Sequence, residues 1–263
     1  MGTPQGTVWA TVTVVVAAAL AYMGARKNRL ARLVERTPTT SAASTHGGDL
    51  VEIKGRVVAA ERTLETLQAG RDAVWTDLQI EEYSETPGND PSWDTILHRT
   101  RAVEFHVDDG TGRMASVVLM PRENAVTTLG DVAHPVFAGK FLERIRKILQ
   151  DSGKTAFDPE QLRWTERALC VGDPVYVLGP AEVTTGPPVV QGYRSIPSSQ
   201  LVMRDTRESP LTVAAMTEEA FVAKLKGSAR GYFGCAAAVA VLGLIVSALA
   251  FATTLMDCAQ GSD

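Results

Sequence analysis

Apolar residues run without a single charge through two stretches of the chain, Met1 to Ala25 and Gly231 to Met256. Each exceeds the roughly 20 apolar residues that cross the hydrocarbon core of a bilayer. The pattern predicts two transmembrane helices, over residues 8–25 and 231–256. The second run is longer than the core helix of a soluble domain needs. The first differs from a cleavable signal peptide, because no basic residue precedes its apolar core. A retained anchor is therefore expected, with cleavage after Ala19-Leu20-Ala21 as the alternative.

Between these runs the pattern shortens. Residues 37–48 are small and polar and read as a linker. Leu50 to Val58 then alternates apolar and polar positions, as a half-buried strand does. A second strand is expected over Ala73–Ile80, extended by Glu81-Glu82-Tyr83 toward a Pro/Gly-containing loop. Arg101–Val107 and Met114–Met120 flank Asp108-Asp109-Gly110-Thr111-Gly112, the pattern of a β-hairpin. Further strands are expected over Val175–Leu178, around Gly186-Pro187-Pro188 as a closing hairpin, and over Ser199–Met203.

One helix stands out among the strands. Phe137, Phe141, Leu142, Ile145, Ile148 and Leu149 share a face, with Lys140, Arg144, Arg146 and Lys147 around the rest. Core packing explains this pattern directly, and a helix lying on a membrane surface is the alternative. The expected fold is an α+β membrane protein. Two transmembrane helices flank a β-rich soluble domain, a sandwich or partly open barrel with one main amphipathic helix.

Charge then orients the chain. Arg26, Lys27, Arg29, Arg32 and Arg36 follow the first span, and Lys224, Lys226 and Arg230 precede the second. The tails 1–7 and 257–263 carry no Lys or Arg. In a bacterial-type inner membrane the positive-inside rule places both termini outside and the central domain in the cytoplasm. The segments 26–49 and 211–230 then lie beside the membrane, around a domain over 50–210. The eight cations are candidate contacts for anionic lipid, although setting topology accounts for them equally well. Ala17, Ala21 and Ala25, and Gly243 with Ser247, recur at four-residue spacing, which lets helices approach closely in lipid. They could pair the two spans or join two copies of the chain.

Composition narrows the chemistry. With 26 basic and 30 acidic residues, the chain lacks the charge excess of a nucleic-acid binder. The three cysteines, Cys170, Cys235 and Cys258, leave one thiol in the central domain, so no disulfide staples it. Gly110-x-Gly112-x-x-Ala115 fits a dinucleotide fingerprint formally. However, strand-forming Val117-Val118-Leu119 follows where that motif needs a helix. His46, His98, His106 and His134 lack metal-ligand spacing. Cys170 reads as a buried structural thiol. No catalytic constellation, metal site or cofactor site emerges.

The ordered pieces resemble the GIDE, or beside-a-membrane, domain family over about residues 50–210. The resemblance rests on Ile53-Lys54-Gly55-Arg56-Val57-Val58, on Leu67-x-x-Gly70-Arg71-x-x-Val74-Trp75, and on Ile80-Glu81-Glu82. It continues through Trp93, Phe105-x-Val107-x-Asp109-x-Thr111-Gly112, and Glu166-x-x-Leu169-x-x-Gly172-Asp173 up to Gly179. These motif positions are expected to be mostly structural. The flanking spans fit the same architecture.

Two departures stand out. Ala73 occupies a position where such proteins often carry cysteine. After the second span come only residues 257–263, with one cysteine, whereas a RING needs about eight zinc ligands in paired spacings. The resemblance thus implies a bacterial-type relative of the mitochondrial RING-type ubiquitin ligase, without the RING. The expected function is non-catalytic: a membrane-anchored binding or scaffold module whose partners are the lipid bilayer and a protein or peptide. One alternative is a ligase-type subunit that acts with a separate catalytic partner. Another is an enzyme with an unrecognised site among His106, Asp108, Asp109 and Asp173.

Overall fold

A computed structural model describes residues 4–42, 44, 48, 50–67, 70–85, 90–123, 125–128, 134–135, 140–185, 189–191, 194–196 and 199–260. Its helices are α1 (Pro4–Arg36), α2 (Lys140–Asp151) and α3 (Glu218–Gln260). The chain divides into a helical unit built from α1 and α3, and a β-rich domain over Pro38–Glu218.

In the helical unit α1 and α3 run antiparallel. Lys226 Nζ donates to Glu35 Oε1 at 2.6 Å. Further along, Gly24 packs against Tyr232 and Phe233, and Gly243 against Thr13. A Cβ on Gly24 would come within 3.2 Å of the Phe233 ring, and one on Gly243 would collide with Thr13 Cγ2. Gly243 thus serves close helix approach, as its spacing suggests. Ala17 and Ala21 are half-buried, whereas Ala25 and Ser247 are exposed.

Among the described residues, one helix is long and apolar enough to cross a membrane. It spans Glu218–Leu249, and its most apolar window has mean hydropathy 2.2 and is 6% buried. Leu242, Leu244 and Leu249 each expose more than half their surface, as a helix apolar all round does only in lipid or a large core. The described part of α1 joins its apolar half to the cations from Arg26 onward and does not reach that threshold.

The strands of the domain are β1 (Leu50–Ala59), β2 (Leu64–Glu65), β3 (Asp72–Ser84), β4 (Ser92–Ala102), β5 (Phe105–Asp108), β6 (Met114–Val118), β7 (Val126–Thr127) and β8 (His134–Pro135). There follow β9 (Leu162–Cys170), β10 (Pro174–Thr185), β11 (Val189–Gln191), β12 (Arg194–Ile196), β13 (Ser199–Arg204) and β14 (Thr212–Ala214). Five of them close on themselves. β1 pairs β5, β5 pairs β6, β6 pairs β13, β13 pairs β10, and β10 returns to β1. Only the β6–β13 pair of this ring is parallel. The connectivity is that of a five-stranded Greek-key barrel of the OB type. The expected sandwich or partly open barrel is therefore a barrel with a second sheet beside it.

Alternation fills the barrel. Val51, Ile53 and Val57 of β1 meet Phe105, Val107, Ala115, Val117, Val175, Val177, Leu201 and Met203 in one core, because side chains two apart on a strand share a face. Where β1 passes β5, a Cβ on Gly55 would overlap the Asp108 carbonyl. That close approach requires glycine.

Two insertions into the barrel build the second sheet. It runs β2-β3-β9-β8, with β4 also paired to β3. Helix α2 seats Ile145 and Leu149 on Leu78, Ile80, Leu162 and Trp164. β3 belongs to both cores: Val74 and Trp75 enter the barrel, while Leu78 and Ile80 lie under α2. A bulge opposite β9 between Ala73 and Trp75 lets two consecutive side chains enter the barrel.

Several expectations shift. Arg101 and Ala102 end β4 instead of opening the hairpin, which starts at Phe105. The Phe105–Val118 hairpin itself forms as expected, with Gly110 and Gly112 at φ of 78° and 84° in its turn. Phe141 is 39% exposed and stacks on Trp164 at 6.3 Å. Phe137, His46 and Gly186-Pro187-Pro188 lie outside the described residues. Within residues 37–48, Ala42 is fully buried and its amide donates to Asp109 Oδ2 at 2.7 Å.

Candidate functional site

The two faces of β3 differ in chemistry. On the α2 side, Thr76 faces Arg101 across β4, and Leu78 faces Arg99. Glu166 of β9 lies opposite Leu78 on the other flank. With Arg144, Lys147, Ile148 and Asp151 of α2 and Glu65 to Leu67 beside β2, these residues line a cleft of about 440 Å³. That volume falls within the range of small-molecule sites.

One end of the cleft is braced. Both Glu166 carboxylate oxygens accept the Leu67 amide at 2.9 Å. Arg144 Nη1 donates to the Leu67 carbonyl at 3.0 Å, and its Nη2 pairs with Glu65. The other end is not braced. Arg99 and Arg101 have no hydrogen-bond or ion-pair partner among the described residues. Burial pushes the Arg101 guanidinium below its ordinary pKa, as does the neighbouring Arg99 charge, with Glu166 opposing. Thr76 is 1% exposed, and its hydroxyl has no hydrogen-bond partner among the described residues.

On the opposite face the Asp77 carboxylate is satisfied. Asp77 Oδ1 accepts from Thr100 Oγ1 at 2.7 Å and lies 2.7 Å from His98 Nε2, while Arg167 pairs with Oδ2. Burial works against the Asp77 charge. The Thr100 and His98 hydrogen bonds and the Arg167 charge outweigh it and hold the carboxyl below its ordinary pKa. At the far end of β3, Arg163 grips Glu81 through two bonds of 2.7 and 3.0 Å and stacks 4.2 Å over Trp93, which also packs on Tyr83.

The motif residues quoted from the sequence are distributed as braces. Asp109 holds the Ala42 amide and the Thr111 amide at 2.7 and 2.9 Å. Asp173 accepts the Cys170 amide and an Arg71 N–H, each at 2.9 Å. Gly172 sits in the β9–β10 turn at φ 86°, and its amide donates to the Val57 carbonyl at 2.8 Å. Trp75 and Phe105 are fully buried, and Gly179 lies under Leu211. Gly70 takes φ 58° in the turn before β3. The proposed enzymatic set does not share one cavity: Asp109 and Asp173 each hold backbone, whereas His106 lines a separate cavity with Glu61 and Glu104. Burial, with Asp173 nearby, pushes the Cys170 thiol above its ordinary pKa, which disfavours the nucleophilic thiolate. Among the described residues no His/Cys/Asp/Glu cluster could hold a metal ion.

The cations beside the apolar runs lie in the helical unit. Arg26, Lys27, Arg29, Arg32, Arg36, Lys224 and Arg230 are exposed, and Lys226 is bound to Glu35. Sequence inspection missed the cleft residues Thr76, Arg99 and Arg101. The i, i+2 spacing of Arg99 and Arg101 within one strand was the available signal, since it puts both on one face.

A family model described as GIDE: E3 ubiquitin ligase matches residues 78–248. The chain belongs to the GIDE family. The match starts within β3, takes in the cleft arginines, α2, β9 and most of the barrel, and runs into α3. The quoted motif residues from Ile53 to Trp75 precede it. No curated protein and no solved structure matches the chain.

Proposed function

We propose that this GIDE-family chain is a membrane-anchored recognition and scaffold module that acts by contact at the bilayer surface. Ligase-type chemistry would come from a separate RING-bearing partner. The observation that carries this reading is how the polar residues are used. Asp77, Asp109, Asp173 and Glu166 are spent on holding strands and turns, while Arg99 and Arg101, without hydrogen-bond or ion-pair partners among the described residues, line an open cleft. A surface of this kind is equipped for binding. The family description supports the ligase setting.

In this reading both apolar helices anchor the chain in a bacterial-type inner membrane. The domain is cytoplasmic, both termini lie outside, and the eight flanking cations touch anionic headgroups. Copies of the chain associate through Ala17, Ala21, Ala25 and Ser247, while Gly243 is taken by Thr13 within the chain. Crosslinking of the full chain in native membranes, followed by identification of the captured proteins, tests the proposal. Reproducible recovery of a RING protein or another transferase supports it. Recovery of lipid and the chain alone overturns the partner role.

A further inference from the structure

The cleft under α2 carries a more specific assignment, which deepens the recognition role proposed above and rests on it. We propose that it is a binding site for a phosphate monoester, with Arg99, Arg101 and Thr76 as the residues that contact it.

Strand geometry builds the donor set. Arg99 and Arg101 are two residues apart on β4, so their side chains leave the same face of the sheet. Thr76 sits directly opposite Arg101 on β3. Two planar guanidinium forks can each grip two oxygens of an anion, and the hydroxyl adds a third direction of approach. A carboxylate has two oxygens and one charge and would leave one fork idle. A phosphate monoester, with three free oxygens and a charge near two, engages both forks and the hydroxyl.

Charge in the cleft is arranged to leave these donors available. Four cations line it, with Glu65, Glu166 and Asp151 as the carboxylates. Glu65 is taken by Arg144, and Glu166 holds the Leu67 amide through both oxygens. Asp151 sits on the last residue of α2. Burial works against the Arg101 charge, and the neighbouring Arg99 charge adds to that cost. An anion between the two guanidiniums offsets both. The buried Thr76 hydroxyl costs stability while unpartnered, and a ligand oxygen would satisfy it. Leu78 and Ile148 give the cleft apolar walls for the organic part of the ligand, and its volume of about 440 Å³ exceeds what inorganic phosphate needs.

A phosphate monoester reaches such a site as a free metabolite or as the headgroup of a lipid. Binding of glycerol phosphate to the full-length protein in detergent, read by calorimetry, tests the chemistry. Co-sedimentation with phosphatidylcholine vesicles carrying phosphatidic acid separates the two sources. Saturable binding of glycerol phosphate, displaced by inorganic phosphate, supports the site. So does retention on phosphatidic acid vesicles beyond that on phosphatidylcholine alone. Arg99→Gln with Arg101→Gln should weaken either signal at least about tenfold, as expected for charge-assisted contacts.

Thr76→Val separates binding from folding. It should raise the melting temperature, because an unpartnered buried hydroxyl is removed, and still weaken glycerol phosphate binding. A purely structural Thr76 would leave binding unchanged. Absence of binding to both probes, or binding that survives the double arginine substitution, overturns the assignment. If neither probe binds while the natural protein still captures a transferase partner in native membranes, the scaffold role stands on its own and the site fails.

Discussion

Asp77 and Arg167 form an ion pair across β3 and β9 on the sheet face opposite the cleft, with side chains 2% and 16% exposed. Removing one partner of such a pair strands the other charge. Asp77→Asn should cost about 2–4 kcal/mol of stability, measured by urea denaturation. The pH dependence has a defined sign. The folded carboxyl titrates below its ordinary value. Its contribution is therefore complete above the unfolded pKa of about 4 and is lost as pH falls through the folded one. Denaturation midpoints between neutral and strongly acid pH should fall more steeply for the natural protein than for Asp77→Asn.

Tyr176 donates to Glu52 at 3.0 Å, and both residues are fully buried. Thr39 and Lys54 complete the coordination of Glu52 at 2.9 and 3.2 Å, and Lys54 also pairs with Glu218. Tyr176→Phe removes one donor and should cost about 1–2 kcal/mol. Glu52→Ala takes the acceptor from the buried Tyr176 hydroxyl and from Thr39, and leaves Lys54 with Glu218 alone, so it should cost more. Equal losses for the two variants would contradict this network.

Two glycines should respond in opposite directions to alanine. Gly55→Ala places a methyl on the Asp108 carbonyl and should destabilise the domain by about 1–3 kcal/mol or more. Gly227 lies within α3 with nothing within 4 Å of an added Cβ. Gly227→Ala should raise stability by about 0.5–1 kcal/mol through helix propensity alone. Thermal melts of the two variants against the natural protein decide both signs.

Orientation is open to a direct test. Replacing Arg26, Lys27, Arg29, Arg32 and Arg36 by glutamine removes the charge bias beside the first apolar run. Protease protection of sealed inner-membrane vesicles should then show a mixed or reversed topology of the β-rich domain. Unchanged protection would show that these cations do not set it.

Much of this architecture was legible in the residues. The 105–118 hairpin followed from strand formers around a Gly/Asp turn, and the amphipathic face of α2 from its 3.6-residue period. Barrel closure was not legible. It depends on β13 pairing in parallel with β6 across more than eighty residues of sequence, and local pattern carries no trace of such a pairing. The cleft was hidden for a related reason. Arg99 and Arg101 look like the solvated face of a strand until Thr76, Glu166 and α2 are brought beside them. The quoted motif drew attention to Asp109, Asp173 and Glu166, whose carboxylates turn out to fasten backbone.

β3 carries a further consequence. Side chains of one strand fill the barrel at Trp75 and support α2 at Leu78 and Ile80. Sliding this strand by one residue would swing Asp77 beneath the helix and withdraw Leu78 from it, while Trp75 left the barrel. The two halves of the domain thus lock each other's alignment, as a key shared by two wards. The floor of the cleft cannot shift without unpacking the barrel, so any adjustment to a ligand falls to α2 and to the long side chains of Arg99, Arg101, Arg144 and Lys147.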